Sequence, residues 1–433
     1  MAASAARRLA VASPLRVSGS PSILIGVTHP QTCLVLRDRL GALREAGFRV
    51  LLVSSPGALL DQTAADEGIE AVPIPMRRAI APLADLVSLV RLWRVLGRFR
   101  PEVAEFSTPK AGLLGLLAAW ARGVPHRVYL LRGLKLETSW GVKRRVLLAA
   151  ERLAAACAHV VLCNSGSLRA RALALGIAPE RKLVLLGEGS SHGVDTARFS
   201  PGPTDVRQRL GLERSARVIG FVGRLTRDKG VPELMEAFAA VRAAEPSACL
   251  LMVGWFDDAE DALDPALRAR IAAHPGICLT GFVSETAGYY RAMEVMVLPT
   301  RREGFPNAVL EAGASGVPVI ATQATGSRDS VLHEVTGLLI PPGSPEAIAE
   351  AVLALLRDPA RRLRMGRAGR AWACEHFGNC RVLQIHTSFY AEMLGQVTAA
   401  GSEKAPNRRE TAPAGPPRPS PRERACGPAS RSG

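Results

Sequence analysis

Metal-like clusters and C-x-x-C pairs are missing from this chain. Its eight cysteines (Cys33, Cys157, Cys163, Cys249, Cys278, Cys374, Cys380 and Cys426) stand apart, a spacing that excludes a zinc-finger or dithiol motif. Scattered cysteines also argue against a disulfide framework and point to reduced thiols in a cytosolic protein. Aromatic residues are scarce, 5% of the chain, and no RNA-binding or zinc-finger signature occurs, which makes nucleic acid the weakest candidate partner. Long apolar runs are absent too: residues 111–121 form a run only about half a membrane span long, and residues 146–163 are interrupted by Glu151 and Arg152. No transmembrane segment is expected. Residues 1–20 carry Arg7, Arg8 and Arg16 but no apolar stretch long enough for a signal peptide, and are expected to form a disordered leader. Neither G-x-G-x-x-G nor G-x-x-x-x-G-K-[ST] occurs, so the usual dinucleotide and P-loop phosphate motifs are excluded.

What is abundant is positive charge and apolar core material. The net charge is +16 and 48% of the 433 residues are hydrophobic, enough for two domains of about 200 residues each. The surplus of cations favours an anionic partner, whether a phosphorylated substrate or an acidic membrane surface. A solvated arginine-rich surface explains the same surplus equally well. Residues 401–433 hold seven prolines, seven Lys/Arg, three Glu and no aromatics, a composition that cannot bury enough apolar surface to order itself. They are read as a disordered basic tail.

Between the ends, short apolar runs alternate with helical patterns. Strands are expected at residues 22–27, 48–54, 71–74, 102–106, 127–131 and 160–163, with helices between them at 34–46, stopping at Gly47, and at 83–99, stopping before Pro101. After a Gly/Pro/Ser-rich stretch, 187–203, the pattern restarts. Strands are expected at 217–222, 249–253, 277–280, 295–298 and 317–321, and helices at 232–244, 266–273, 308–315, 345–356 and 360–376. Apolar, non-alternating strands separated by helices predict parallel sheets covered on both faces. The fold class is therefore α/β, with two Rossmann-like domains facing a cleft, where ligands lie beyond the strands' carboxyl ends.

Two loops of the second half carry the chemistry. Gly223-Arg224-Leu225-Thr226-Arg227-Asp228-Lys229-Gly230 follows a strand and precedes a helix with Pro232 in its first turn. Free backbone N–H groups, the helix dipole and two cations, Arg224 and Lys229, make an arrangement suited to a diphosphate. An ordinary solvated loop fits the spacing as well. The second loop, Pro299-Thr300-Arg301-Arg302-Glu303-Gly304-Phe305-Pro306-Asn307, opens another helix that Asn307 is placed to cap. Glu303 and Glu311 are placed to point into the cleft, where carboxylates take strong hydrogen bonds from sugar or ribose hydroxyls. Gly304 permits close backbone approach. The plainer alternative is a surface glutamate and a helical glutamate paired with arginine.

The run EGFPNAVLEAGASGVPVIAT resembles the E-x7-E motif of family 4 glycosyltransferases, retaining enzymes of the GT-B fold. FVGRLTRDKG is similar to their donor-phosphate loop, and GSRDSVLHEVTGLLIPPGSPEAIAEAV to the segment after the E-x7-E; the likeness runs from about residue 23 to 394 in the expected order. The resemblance implies an acceptor-binding domain at 21–200, a nucleotide-sugar-binding domain at 201–378 and a helix at 379–400 that crosses back onto the first. It implies that Arg224 and Lys229 hold and neutralise the leaving diphosphate and that Glu303 contacts donor hydroxyls. Gly223 and the backbone from Gly304 through Phe305 and Pro306 to Asn307 would line the donor, and Glu311 would bind the ribose. Arg224, Lys229 and Glu303 are the catalytic candidates, with no metal and no cofactor beyond the nucleotide-sugar co-substrate.

Residues 108–112 (TPKAG), YLLRGLKLE and GSSHGVDTARFSP resemble the subgroup that builds capsular and other surface polysaccharides on polyprenyl-diphosphate carriers. Where many family members carry a histidine after the strand ending at Leu131, this chain has Arg132-Gly133. Lys110, Arg132, Gly133 and Lys135 are the acceptor candidates, with a solvent-facing basic loop as the alternative. A lipid-linked or phosphorylated acceptor fits a cytoplasmic protein peripheral to the inner face of the cell membrane. Helix 83–99 and the segment opened by Lys143-Arg144-Arg145 are candidates for an anionic bilayer surface. Glycosylation of a secondary metabolite, a sugar-nucleotide epimerase on the same plan, and a non-enzymatic basic binding protein are the competing readings.

Overall fold

The computed structural model describes residues 20–395 other than 78, 80 and 259. The leader up to residue 19 and the basic tail lie outside the described residues. The first sheet contains β1 (Ser22–Gly26), β2 (Arg49–Ser54), β3 (Glu70–Pro73), β4 (Val103–Ser107), β5 (His126–Leu131), β6 (Val160–Cys163) and β7 (Leu183–Leu185). They pair in the order β3-β2-β1-β4-β5-β6-β7, every pair parallel. The second contains β8 (Arg217–Val222), β9 (Ala248–Val253), β10 (Ile277–Leu279), β11 (Val295–Leu298), β12 (Val319–Thr322) and β13 (Gly337–Ile340), in the order β10-β9-β8-β11-β12-β13, again all parallel. Both orders reverse direction beside their first strand, between β1 and β4 and between β8 and β11, which defines two doubly wound sheets. Apolar cores cover both faces of each sheet, because strands such as Leu24–Gly26 and Leu250–Met252 bury every side chain. The α/β architecture with two Rossmann-like sheets is as the sequence predicts.

Three local readings are corrected. The helix expected over 34–46 is split into a 3-10 turn, Pro30–Leu36, and a helix, Arg39–Glu45. Asp38 at the joint takes a left-handed φ of 64°, and the Glu67 carboxylate fixes that turn by accepting from the backbone N–H of Asp38 and Gly41, each at 2.6 Å. The strand expected to start at Val317 begins at Val319, since Pro318 has no N–H to give the ladder. Strands β7 and β13 did not stand out in the sequence. β13 opens with Gly337, where a Cβ would lie 2.0 Å from the Val319 carbonyl oxygen, so neighbouring backbones meet closely there.

The last helix, Asn379–Met393, packs on the first sheet. Arg39 gives Glu105 two hydrogen bonds, at 2.9 and 2.6 Å, and a third at 2.7 Å to the Tyr390 hydroxyl, itself bonded to Glu105. All three side chains are buried. Burial works against ionising Glu105, but the Arg39 charge and hydrogen bonds hold its carboxyl below the usual range. The chain thus crosses back to the half where it began. The seven described cysteines are all free, and no described helix is long and apolar enough to span a membrane.

Candidate active site

Close backbone approaches bring the two predicted loops together. Gly230, the residue before helix Val231–Ala244, has φ 72°, and a Cβ on it would stand 2.0 Å from the Pro299 carbonyl oxygen. Only glycine fits. The Arg301 N–H then donates to the Asp228 carbonyl at 2.8 Å and the Thr300 hydroxyl to the same oxygen at 3.2 Å. Asp228 is buried, accepting from the Thr226 hydroxyl at 2.6 Å and from Arg302 at 2.9 Å. Burial opposes its charge, yet Lys229 and Arg302 keep its carboxyl below the usual range.

This stitching puts Lys229 in an ion pair with Glu303, each side chain about one-sixth exposed at 16% and 15%. Arg224 donates to the Asp257 carboxylate at 2.7 Å and lies within electrostatic range of Glu303. Arg224, Lys229 and Glu303 therefore converge at the carboxyl ends of β8 and β11. Gly223, with φ 149° and its N–H on the Val253 carbonyl at 3.0 Å, starts the loop that carries the two cations. The two cations are paired with the Asp257 and Glu303 carboxylates.

Helix Asn307–Ala314 follows, with Phe305 buried against Phe377 at 5.1 Å between ring centroids. Pro306, not Asn307, precedes the helix, so the expected cap is absent; Asn307 is its first residue and its amide nitrogen faces His192 Nε2 at 3.1 Å. Glu311 sits one turn further on in the same helix. It accepts from the buried Tyr290 hydroxyl at 2.8 Å, and burial pushes its carboxyl up to about 7 against the lowering pull of that bond.

From the first half, the Arg132–Gly133 turn packs directly on the second loop. A Cβ on Gly304 would lie 2.2 Å from the Arg132 carbonyl oxygen, and one on Gly133 3.3 Å from the Gly304 nitrogen. Arg132 donates to Ser107 at 3.2 Å and Ser191 at 2.7 Å. Lys135 reaches across to Glu260 at 2.7 Å. Lys110 is engaged within its own half, bonding both Asp85 oxygens at 2.7 and 2.8 Å. Side chains that sequence reasoning passed over close the cleft: Arg302 to Thr138 at 2.9 Å, Thr325 to Glu137 at 2.8 Å, and the Ser167 N–H to Asp329 at 3.1 Å. Arg302 adjoins Glu303 in the sequence, and Glu137 and Asp329 lie within the YLLRGLKLE and GSRDSVLHEV segments, so position in a motif was the available signal for all three.

Two parallel-sheet halves meeting over such a cleft define the GT-B fold. The chain matches the family described as Glycosyl transferases group 1 over residues 216–358 and the Glycosyl transferase 4-like domain over residues 35–189. It is 36% identical to the capsular polysaccharide biosynthesis glycosyltransferase CapM of Staphylococcus aureus, over 85% of this chain and 96% of that one. It is 26% identical to the UDP-Gal:alpha-D-GlcNAc-diphosphoundecaprenol alpha-1,3-galactosyltransferase of Escherichia coli, over 71% of this chain and 80% of that protein. The Anabaena protein HepE, solved with UDP and glucose, shares the fold with a TM-score of 0.70 at 20% identity, covering 87% of this chain and all, 100%, of its own. The chain belongs to the group 1, family 4-like glycosyltransferases.

Proposed function

We infer that the protein moves a hexosyl group, with retention and without a metal, from a nucleotide-diphosphate sugar to an acceptor hydroxyl. The convergence of Arg224 and Lys229 with Glu303 at the carboxyl ends of β8 and β11 carries this reading. The two cations face the diphosphate and stabilise the charge that grows on it as the bond to the sugar's anomeric carbon breaks, a contribution made where water is excluded. Glu303, held by Lys229, accepts from donor hydroxyls, and Glu311 accepts from the ribose. The acceptor oxygen bonds the anomeric carbon from the face the diphosphate leaves, and the departing phosphate oxygen takes the acceptor's proton. Substitution on one face keeps the configuration through an oxocarbenium-like state.

The acceptor is a lipid-linked saccharide in surface-polysaccharide or glycolipid assembly. The names of the S. aureus and E. coli relatives support this, and so does the surface of the first half. Helix Pro82–Phe99 exposes Leu83, Leu86, Val87, Val90 and Trp93, flanked by exposed Arg91, Arg94 and Arg98. Trp140, Val142 and Val146 are exposed around the start of helix Gly141–Cys157. Apolar side chains ringed by arginines suit an anionic bilayer surface.

The test is incubation with nucleotide sugars, with and without a lipid-linked saccharide, followed by NMR of the product's anomeric centre. Transfer that needs the acceptor and keeps the donor's configuration is expected. A new sugar nucleotide formed without acceptor identifies an epimerase, and a trapped covalent glycosyl-enzyme overturns the one-face route.

A further inference from the structure

Half-buried Arg132 carries a positive charge to which, among the described residues, no carboxylate is hydrogen-bonded. Arg39 is ion-paired with Glu105, although its Nε is also buried without a partner. Arg132 feels the same charges, but its own hydrogen bonds go to two neutral hydroxyls, those of Ser107 and Ser191, and its Nη2 is buried without a partner. Buried guanidinium groups are costly unless an anion meets them. Burial and then the neighbouring Arg39 charge lower Arg132, but only to about 10, so it stays a cation at neutral pH.

His192 presents a second unused donor. Burial first, then the Arg132, Arg39 and His386 charges, push its imidazole down to about 3, so the ring is neutral. The Asn307 amide nitrogen donates to Nε2, which leaves the ring proton on Nδ1. That atom is buried without a partner. His192 adjoins Ser191, which Arg132 already bonds, and both residues border the Glu303–Asn307 loop through the Gly304 and Asn307 contacts.

We propose that Arg132 Nη2 and His192 Nδ1 together receive an oxyanion carried by a substrate, either a carboxylate on the donor sugar or a phosphate on the acceptor. The inference rests on reading the Glu303–Asn307 loop as the donor-sugar site. A carboxylate or phosphate supplies the missing negative charge and accepts from both orphan donors, whereas a neutral hydroxyl leaves the half-buried cation uncompensated. The site then selects acidic substrates.

The test titrates the full chain with α-D-glucose 1-phosphate, α-D-glucuronic acid 1-phosphate and farnesyl diphosphate, probes that need no choice of nucleobase. If the anion is on the donor, the glucuronic acid phosphate binds about tenfold tighter than the glucose phosphate, the scale of one charge-assisted hydrogen bond. Arg132→Gln then erases that preference while glucose 1-phosphate binding stays within about twofold. Arg132→Lys, which keeps the charge, retains part of it, and His192→Ala loses part. If the anion is on the acceptor, Arg132→Gln weakens farnesyl diphosphate binding about tenfold or more and Arg132→Lys restores part of it. The proposal is overturned if Arg132→Gln changes neither arm, or weakens all three ligands equally, as a merely structural role would. Should Lys229→Ala leave every sugar phosphate untouched while Arg132→Gln retains its selective effect, the donor-site reading fails and the oxyanion point stands.

Discussion

With Glu311 proposed as the ribose ligand, nucleotide-sugar binding is expected to depend on pH. Its carboxyl, raised to about 7 by burial, is mostly protonated at pH 6 and mostly ionised at pH 8, and only the ionised form offers both oxygens to ribose hydroxyls. An intact nucleotide sugar does not itself titrate in this range, so its affinity rises with pH and levels off above about 8. The expected gain from pH 6 to 8 is about tenfold, and Glu311→Gln flattens it; calorimetric titration at three pH values checks both. An unchanged slope in the variant contradicts the role. The carboxylates at 303 and 311 were legible because they recur in a motif with known spacing. Tyr290, which holds Glu311 in place, was not, since it lies 21 residues away with nothing local to mark it.

The elements show why loop chemistry reads better than loop contact. Every strand with four or more buried apolar residues was visible as a run; the edge strands β7 and β13 were not read, although β13, with 4 residues, is as long as β11 and β12. The split at Asp38 depends on Glu67, 29 residues on, which no helical period reveals. Gly304 was read as a place of close approach; the structure supplies what approaches, the Arg132 carbonyl. Gly304→Ala must force those backbones apart, which is expected to cost about 1–3 kcal/mol of stability. Transferase activity should fall further than stability, because the displaced loop carries Glu303. Urea unfolding beside an activity assay separates the two, and wild-type behaviour in both would count against the packing described.

Across the whole molecule, two sheets could be read from alternating runs, and a crossing helix from the family resemblance. The polar contacts that join the halves could not be read: Arg302 to Thr138 and Ser167 to Asp329 link residues 164 and 162 positions apart. The Arg39–Glu105–Tyr390 cluster fastens helix Asn379–Met393 to the first half. Arg39→Met strands a buried carboxylate and is expected to destabilise the fold by about 3–5 kcal/mol, measured by urea unfolding. At the opposite extreme of burial, Leu83→Asp with Val87→Asp should abolish sedimentation with phosphatidylglycerol vesicles and leave transfer to a soluble acceptor intact. Equal sedimentation of variant and wild type would remove helix Pro82–Phe99 from the membrane account. The central claim is that Lys229 and Glu303 act on a nucleotide-diphosphate sugar, and its most direct measurement is kcat/KM for transfer in Lys229→Ala and Glu303→Ala, with folding verified by their melting temperatures. A fall of about 100-fold or more in each is predicted; folded variants that transfer sugar at the wild-type rate would contradict it.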